Sequence, residues 1–204
     1  MSRSRIAVFA SGQGSNFAAL IEAQRAGQLG EGSIELLVSD RPEAPVAQRA
    51  EAAGVPALLL RPKDFASREL YEAEIVAELK RRDIGLIVLA GYMRLISPVL
   101  LEPFDGRIIN IHPSLLPAFA GKDAIGQAIG YGVKLTGVTV HFVDGGMDTG
   151  PVIAQRSVTV EAGDTADSLA QRIHEVEYAL YPEVVRAFAA GKVELNGRHV
   201  IVHE

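Results

Sequence analysis

The chain has 204 residues, which fits one domain, and 48% of them are hydrophobic, enough to bury a sizeable core. A formal net charge of -5 gives no global basis for holding nucleic acid or an anionic membrane, so an anionic ligand needs local donors. The absence of cysteine excludes disulfides and thiolate chemistry, no apolar run reaches the roughly 18 residues of a membrane helix, and the stretch before Arg5 is too short for a signal peptide; a soluble cytoplasmic protein is expected.

In chain order, Arg5 to Ala10 reads as a buried strand and Asn16 to Gly27 as a helix with Phe17, Leu20 and Ile21 at helical spacing. Ile34 to Ser39 is a second strand, Pro45 to Gly54 a second helix with Pro at its start and Gly at its stop, and Pro56 to Leu60 a short strand. Ser67 to Arg82 predicts a long helix with Ser67 as its N-cap; the apolar run Ile84 to Ala90 predicts a strand in the middle of a parallel sheet, and Arg107 to His112 another strand. Val133 to Val143 and Val152 to Val160 then look like longer, antiparallel strands. Asp164 to Ala190 is largely helical, capped by Asp164 or Thr165, and Lys192 to Val202 carries the hairpin signal Asn196-Gly197. The alternation predicts an α/β fold: a doubly wound, mostly parallel sheet with antiparallel C-terminal strands and a long C-terminal helix, in a single domain over 1–204.

Three stretches carry chemistry. Ala10 to Asn16 joins the first strand to the first helix; its glycines permit close approach of a ligand, the helix end offers unpaired N–H groups, and Ser15 and Asn16 add donors, a recipe for one phosphate group. The rival is a dinucleotide loop, since Gly12 and Gly14 begin that fingerprint and Asp40 ends the second strand, but Phe17 stands where the third glycine belongs. A merely structural tight turn is the third reading.

Asn110 and His112 lie two apart on a predicted strand, so they share one face, and Pro113 puts both at its C-terminal edge, where open α/β sheets bind ligands. Asn offers a neutral donor to a developing oxyanion, and His a proton near neutral pH. The Pro-bracketed Ser114 to Pro117 can wall such a site. His141 to Pro151 is a long Gly-rich connection; Asp148 or Asp144 could pair with His112, and spacing alone does not choose. His112, His141, Asp144 and Asp148 are metal ligands by type, but none has the helical His-x-x-x-His spacing, so no metal is expected.

Together these stretches resemble the phosphoribosylglycinamide formyltransferases, from about Arg5 to about Ala190. The likeness rests on the Ser11-Gly-x-Gly-Ser-Asn16 loop, Ala90 to Arg94, the run Asn110 to Pro117, and His141-Phe142-Val143 through Asp148 to Pro151. The resemblance implies a Rossmann-like formyltransferase fold and transfer of a formyl group from the co-substrate 10-formyltetrahydrofolate to the amine of 5-phosphoribosylglycinamide in purine biosynthesis, without a metal. It implies Asn110, His112 and Asp148 as catalytic residues, which selects Asp148 over Asp144. Gly14, Ser15, Asn16 and Glu177 are then expected at the phosphoribosyl acceptor, and Arg68, Met93, Arg94, Leu95, Ile96 and Asn110 at the folate. A phosphate-binding half over about 1–105 and a folate and catalytic half over about 106–204 follow, with small-molecule partners, no nucleic acid or membrane, and a monomer or homodimer in the cytoplasm.

Ala120 replaces a usual Pro, Gly145 departs from an Asp-Glu-Gly turn, and His174 stands near the expected acceptor position without an assigned role. Order in the loops 118–132 and 144–150 is left open. The competing readings are a formyltetrahydrofolate deformylase, disfavoured because the chain starts at its first strand, a tRNA formyltransferase, disfavoured by charge and length, and a non-catalytic phosphosugar- or dinucleotide-binding module, which leaves Asn110, His112 and Asp148 without a purpose.

Overall fold

The computed structural model describes residues 4–203. Seven strands form one sheet: β1 (Ser4–Phe9), β2 (Gly32–Ser39), β3 (Ala57–Leu59), β4 (Leu86–Leu89), β5 (Ile108–His112), β6 (Leu135–Phe142) and β7 (Val152–Thr159). Their order is β3-β2-β1-β4-β5-β6-β7. The first five pair in parallel, and β6 and β7 add antiparallel at one edge. The helices are α1 (Ser15–Arg25), α2 (Pro45–Ala53), α3 (Arg68–Arg81), α4 (Pro98–Leu101), α5 (Ala124–Tyr131) and α6 (Ala166–Ala189).

The central strands are apolar on both faces because both faces are covered. Ile6, Val8 and Val88 pack with Phe17 and Leu20 of α1, Val46 of α2, and Ile173 and Leu180 of α6. The alternate residues Ala7, Phe9 and Ile87 pack on the other side with Tyr71, Ile75 and Leu79 of α3 and Leu100 of α4. Each such large side chain contributes about 1.5–3 kcal/mol relative to exposure. Tyr181, fully buried in α6, directs its hydroxyl at the Leu89 carbonyl (2.7 Å), with that of Ile109 at 3.2 Å. It therefore ties α6 to the ends of β4 and β5, beside the site described below.

Most boundaries fall within two residues of the sequence expectation, and the caps explain them. Ser67 accepts from the Leu70 N–H, Gly54 ends α2 in the left-handed conformation at φ 71°, and Thr165 caps α6 in a reciprocal box with Ser168. Two differences matter. The stretch 118–132, read as loop, contains α5. Gly126 and Gly130 obscure it, each weakening a helix by about 1 kcal/mol relative to Ala. It forms because Asp123 accepts from the Gly126 N–H, Ala128 is buried, and Ile125 and Ile129 pack against the main core. The C-terminal hairpin, β8 (Val193–Asn196) and β9 (His199–Val202), is displaced by one residue from its signal: Asn196 pairs with His199, so the turn is Gly197-Arg198, with Gly197 at φ 60°. Glycine leads this turn because a positive φ is needed there.

Candidate active site

A cavity of about 630 Å³ opens at the carboxyl ends of β1, β4 and β5. The chain leaves β1 for β2 on one side and later crosses to β4 on the other. The sheet therefore presents a crevice where the strand order reverses, the place such folds bind ligands.

One end of the cavity is built around the N-terminus of α1. Gly14, at φ 72°, sits so close to α2 that a Cβ there would meet Val46 Cγ2 at 2.5 Å. No side chain caps α1, and Gly14, Ser15 and Asn16 line the cavity, so the first-turn amides are available to an anion. Arg49 holds the loop through the Gln13 carbonyl (2.7 Å). Across from it, Asn16 Nδ2 donates to Oε2 of the buried Glu177 (3.0 Å), and His174 Nδ1 lies 3.0 Å from the same oxygen. Its hydrogen bond to Glu177 raises the His174 imidazole above its ordinary value, against the opposing effect of partial burial. Asn16 Oδ1 is buried and has no protein partner.

The dinucleotide reading fails here on geometry. Asp40 is buried and accepts the Ser11 hydroxyl at 2.5 Å, so it is not presented to a ribose. Phe17 fills the third-glycine position and is wholly buried in the core. Ser11 Oγ in turn accepts from the Met93 N–H (2.9 Å), which ties the glycine loop to the segment after β4.

That segment, Met93 to Ile96, forms one wall of the cavity, with the Met93 and Leu95 side chains exposed. It is held from behind. The buried Glu72 carboxylate accepts from the Ser97 amide (3.1 Å) and hydroxyl, Tyr71 and Tyr92 share a hydroxyl hydrogen bond (2.8 Å), and the Arg94 guanidinium lies 5.5 Å above the Tyr71 ring. Arg68 is not among the residues lining the cavity; it donates to Glu72 (3.2 Å) and to the Leu95 carbonyl, bracing the wall from outside.

At the other end, alternation along β5 sends Ile109 and Ile111 into the main core and leaves Asn110 and His112 facing the cavity. His112 Nδ1 lies 3.4 Å from Asp148 Oδ2, and His112 Nε2 lies 2.9 Å from the Phe119 carbonyl. A carbonyl and a carboxylate both accept, so the arrangement suits an imidazole with a proton on each nitrogen. Asp148 Oδ2 also accepts from the Gly121 N–H (2.8 Å). Burial pushes the Asp148 carboxyl up, but His141, the Gly121 amide and the neighbouring His112 outweigh that and hold it below its ordinary value.

Asp148 adopts a left-handed backbone, φ 54°, which costs a non-glycine residue roughly 1–2 kcal/mol. Its neighbours enforce it. Asp144 Oδ1 accepts from the Gly146 N–H (2.9 Å) and the Thr149 hydroxyl (2.6 Å), and a Cβ on Gly150 would stand 1.8 Å from the Phe142 carbonyl. Asp144 thus shapes the loop and Asp148 faces the histidine, the choice that spacing left open. The Pro-bracketed stretch is pinned likewise: Thr139 Oγ1 donates to the Ser114 carbonyl (2.7 Å) and accepts from the Leu116 N–H (3.0 Å).

His141, named from the sequence as a metal-ligand type and as part of the family motif, had no assigned role in the site. It pairs with Asn110 across β5 and β6, and its Nε2 lies 3.3 Å from Asn110 Nδ2 and 3.7 Å from Asp148 Oδ1. Its Nδ1 lies 2.7 Å from the Phe142 carbonyl, and its Nε2 faces the Asn110 amide and the Asp148 carboxylate together. The available signal was a buried polar residue at period two in β6, next to Thr139. Among the described residues no three His, Asp, Glu or Cys side chains are arranged to hold a metal ion.

The mostly parallel sheet, with a ligand crevice that joins an uncapped helix terminus to an Asn-His-Asp cluster, gives the molecule a Rossmann-like build. The chain belongs to the formyl transferase family, whose model matches residues 4–185. Phosphoribosylglycinamide formyltransferase of Bacillus subtilis (strain 168) is 48% identical over 182 residues, 89% of this chain and 93% of that one. The crystal structure of glycinamide ribonucleotide transformylase 1 from Geobacillus kaustophilus superposes with a TM-score of 0.89 at 56% identity, covering 92% of this chain and 99% of that one. A formyltetrahydrofolate deformylase from Pseudomonas syringae pv. tomato str. DC3000 shares the fold at a TM-score of 0.91 but only 27% identity, and this chain spans 67% of it.

Proposed function

We propose that the protein transfers the formyl group of 10-formyltetrahydrofolate to the amine of 5-phosphoribosylglycinamide, with Asn110, His112 and Asp148 as catalytic residues. The observation that carries this reading is one cavity holding both an open helix N-terminus and the His112–Asp148 pair. The acceptor's phosphate sits on the amides of Gly14, Ser15 and Asn16, and Glu177 takes its ribose hydroxyls. The folate lies along Met93, Arg94, Leu95 and Ile96, with Arg68 supporting that wall through Leu95.

The neutral amine attacks the formyl carbon, and negative charge grows on the formyl oxygen. Asn110 Nδ2 and a His112 ring N–H stabilise that charge, and Asp148 orients the ring and balances its positive charge. His112 Nε2 is engaged by the Phe119 carbonyl, so donation from that nitrogen requires the 118–123 loop to yield it to the substrate. The proton lost by the amine passes to N10 of the departing tetrahydrofolate through His112, Asp148 or water. Holding amine and formyl carbon together supplies much of the acceleration.

We read the chain as a single domain in which both halves serve both ligands: Met93 to Ile96 comes from the first half and Glu177 from the second. Its partners are small molecules, and we assign it to the cytoplasm as a monomer or homodimer, without nucleic-acid or membrane contacts; the acidic net charge of -5 supports this. The deformylase reading is the second candidate, and the open helix N-terminus in the same cavity as His112 argues against it, since transfer to water needs no phosphate grip. The test is the purified protein with 10-formyltetrahydrofolate, with and without the phosphorylated acceptor. Formylated acceptor and tetrahydrofolate are expected only when the acceptor is present. Equal formate release without acceptor would establish a hydrolase, and no turnover in either case a binding module.

A further inference from the structure

The family match ends at residue 185, and the hairpin of β8 and β9 lies beyond it. This hairpin is docked rather than loose. The Lys192 N–H donates to the Ala187 carbonyl at the end of α6 (2.9 Å), and the His203 N–H closes the hairpin on the Lys192 carbonyl (2.9 Å). Val193 and Val200 pack against the main core. Its two-residue turn places Arg198 at the tip, and Arg198 Nη1 donates to the Thr149 carbonyl at 3.0 Å.

Thr149 directly follows Asp148. Its hydroxyl is held by Asp144 from inside the loop, and its carbonyl is held by Arg198 from outside. Asp148 has an unfavourable backbone, and such a conformation persists only where surroundings over-determine it. The hydrogen bonds of Asp144 and the packing of Gly150 restrain the loop within itself, and Gly121 holds the carboxylate; Arg198 ties the Thr149–Gly150 peptide to a separate docked element.

We propose that Arg198 is a positioning residue for Asp148, acting through the Thr149 carbonyl, so that the hairpin sets the placement of the carboxylate against His112. The proposal rests on the formyl-transfer reading and concerns only how well Asp148 is held. A cationic donor on a carbonyl is stronger than a neutral one, but the site is exposed, so the effect is modest. The turn position suits the role, because a type of turn that needs glycine first leaves the next residue free to be chosen for its side chain.

Three proteins are compared by steady-state kinetics and thermal unfolding: wild type, Arg198→Ala and Arg198→Lys. Arg198→Ala is expected to lower kcat by about 3- to 10-fold with both KM values and the unfolding temperature near wild type, because the anion end and the core are untouched. Arg198→Lys keeps a cationic donor and is expected to recover most of the loss. A kcat for Arg198→Ala equal to wild type overturns the proposal. So does a fall in kcat accompanied by a comparable rise in either KM or a clear loss of thermal stability, which marks general disruption, and so does a lysine variant no better than alanine. Absence of formyl transfer by the wild type itself is a different failure, that of the activity assignment.

Discussion

The two ends of the cavity are built from opposite kinds of chain. The anion end uses consecutive residues, Gly12 to Asn16, on a turn whose geometry is set by one strand, one helix and a glycine jammed against Val46. The proton-handling end assembles Asn110, His112, His141 and Asp148 from two strands and a loop; the Asp148 carboxylate accepts from the Gly121 N–H, and the loop that carries it is closed by the Thr149 hydroxyl on Asp144. The first end is set mostly by local backbone. The second is only as accurate as the packing that supports it. Binding of the acceptor and stabilisation of the transition state are therefore expected to fail separately under mutation.

The sharpest way to separate them is Asp148→Asn. It keeps the volume but removes the charge facing His112, so kcat is expected to fall by about 100-fold or more while the acceptor KM changes little. A variant with wild-type kcat would break the comparison at its catalytic end. Asn16→Ala tests the other end. It removes a contact to Glu177 and a cavity-lining donor, so the acceptor KM should rise by roughly tenfold with a smaller change in kcat. A loss confined to kcat would show that the two ends are not independent.

The smallest effect concerns His174, which titrates beside the anion end. Its folded value is raised above 6.5 by Glu177, so the stability it contributes is fully present below about pH 6.5 and is lost as pH rises through the folded value. The side chain is nearly half exposed, so solvent screening keeps the contribution small. Unfolding temperature measured from pH 5 to 9 should fall slightly more across that rise in wild type than in His174→Gln. Parallel curves would mean that the pair does nothing for stability.

What could be read along the chain follows the same division. The glycine loop, the strand alternation that puts Asn110 and His112 on one face, and the cap Ser67 are all short-range patterns, and each was legible, whereas the cap of α6 was narrowed only to Asp164 or Thr165. The α5 helix was hidden by two glycines whose weak propensity is overridden by the Asp123 cap and by burial of Ala128. Arg68 looked like a ligand contact by resemblance, whereas its reach to Leu95 depends on where α3 lies against the segment after β4. His141 was named but given no place in the site, because a lone histidine in a strand says nothing of its role until its cross-strand partner is known.

The sequence by itself determined the alternation of strands and helices, the glycine turn before the first helix and the shared face of Asn110 and His112, because each depends on periodicity or on backbone rules that act over a few residues. Only the tertiary structure decided how Asp148 meets His112, that Asp40 is turned to Ser11, and that the hairpin reaches the Thr149 carbonyl. Those outcomes depend on strand register and loop closure, which bring together groups dozens of residues apart, and no spacing along the chain encodes such distances.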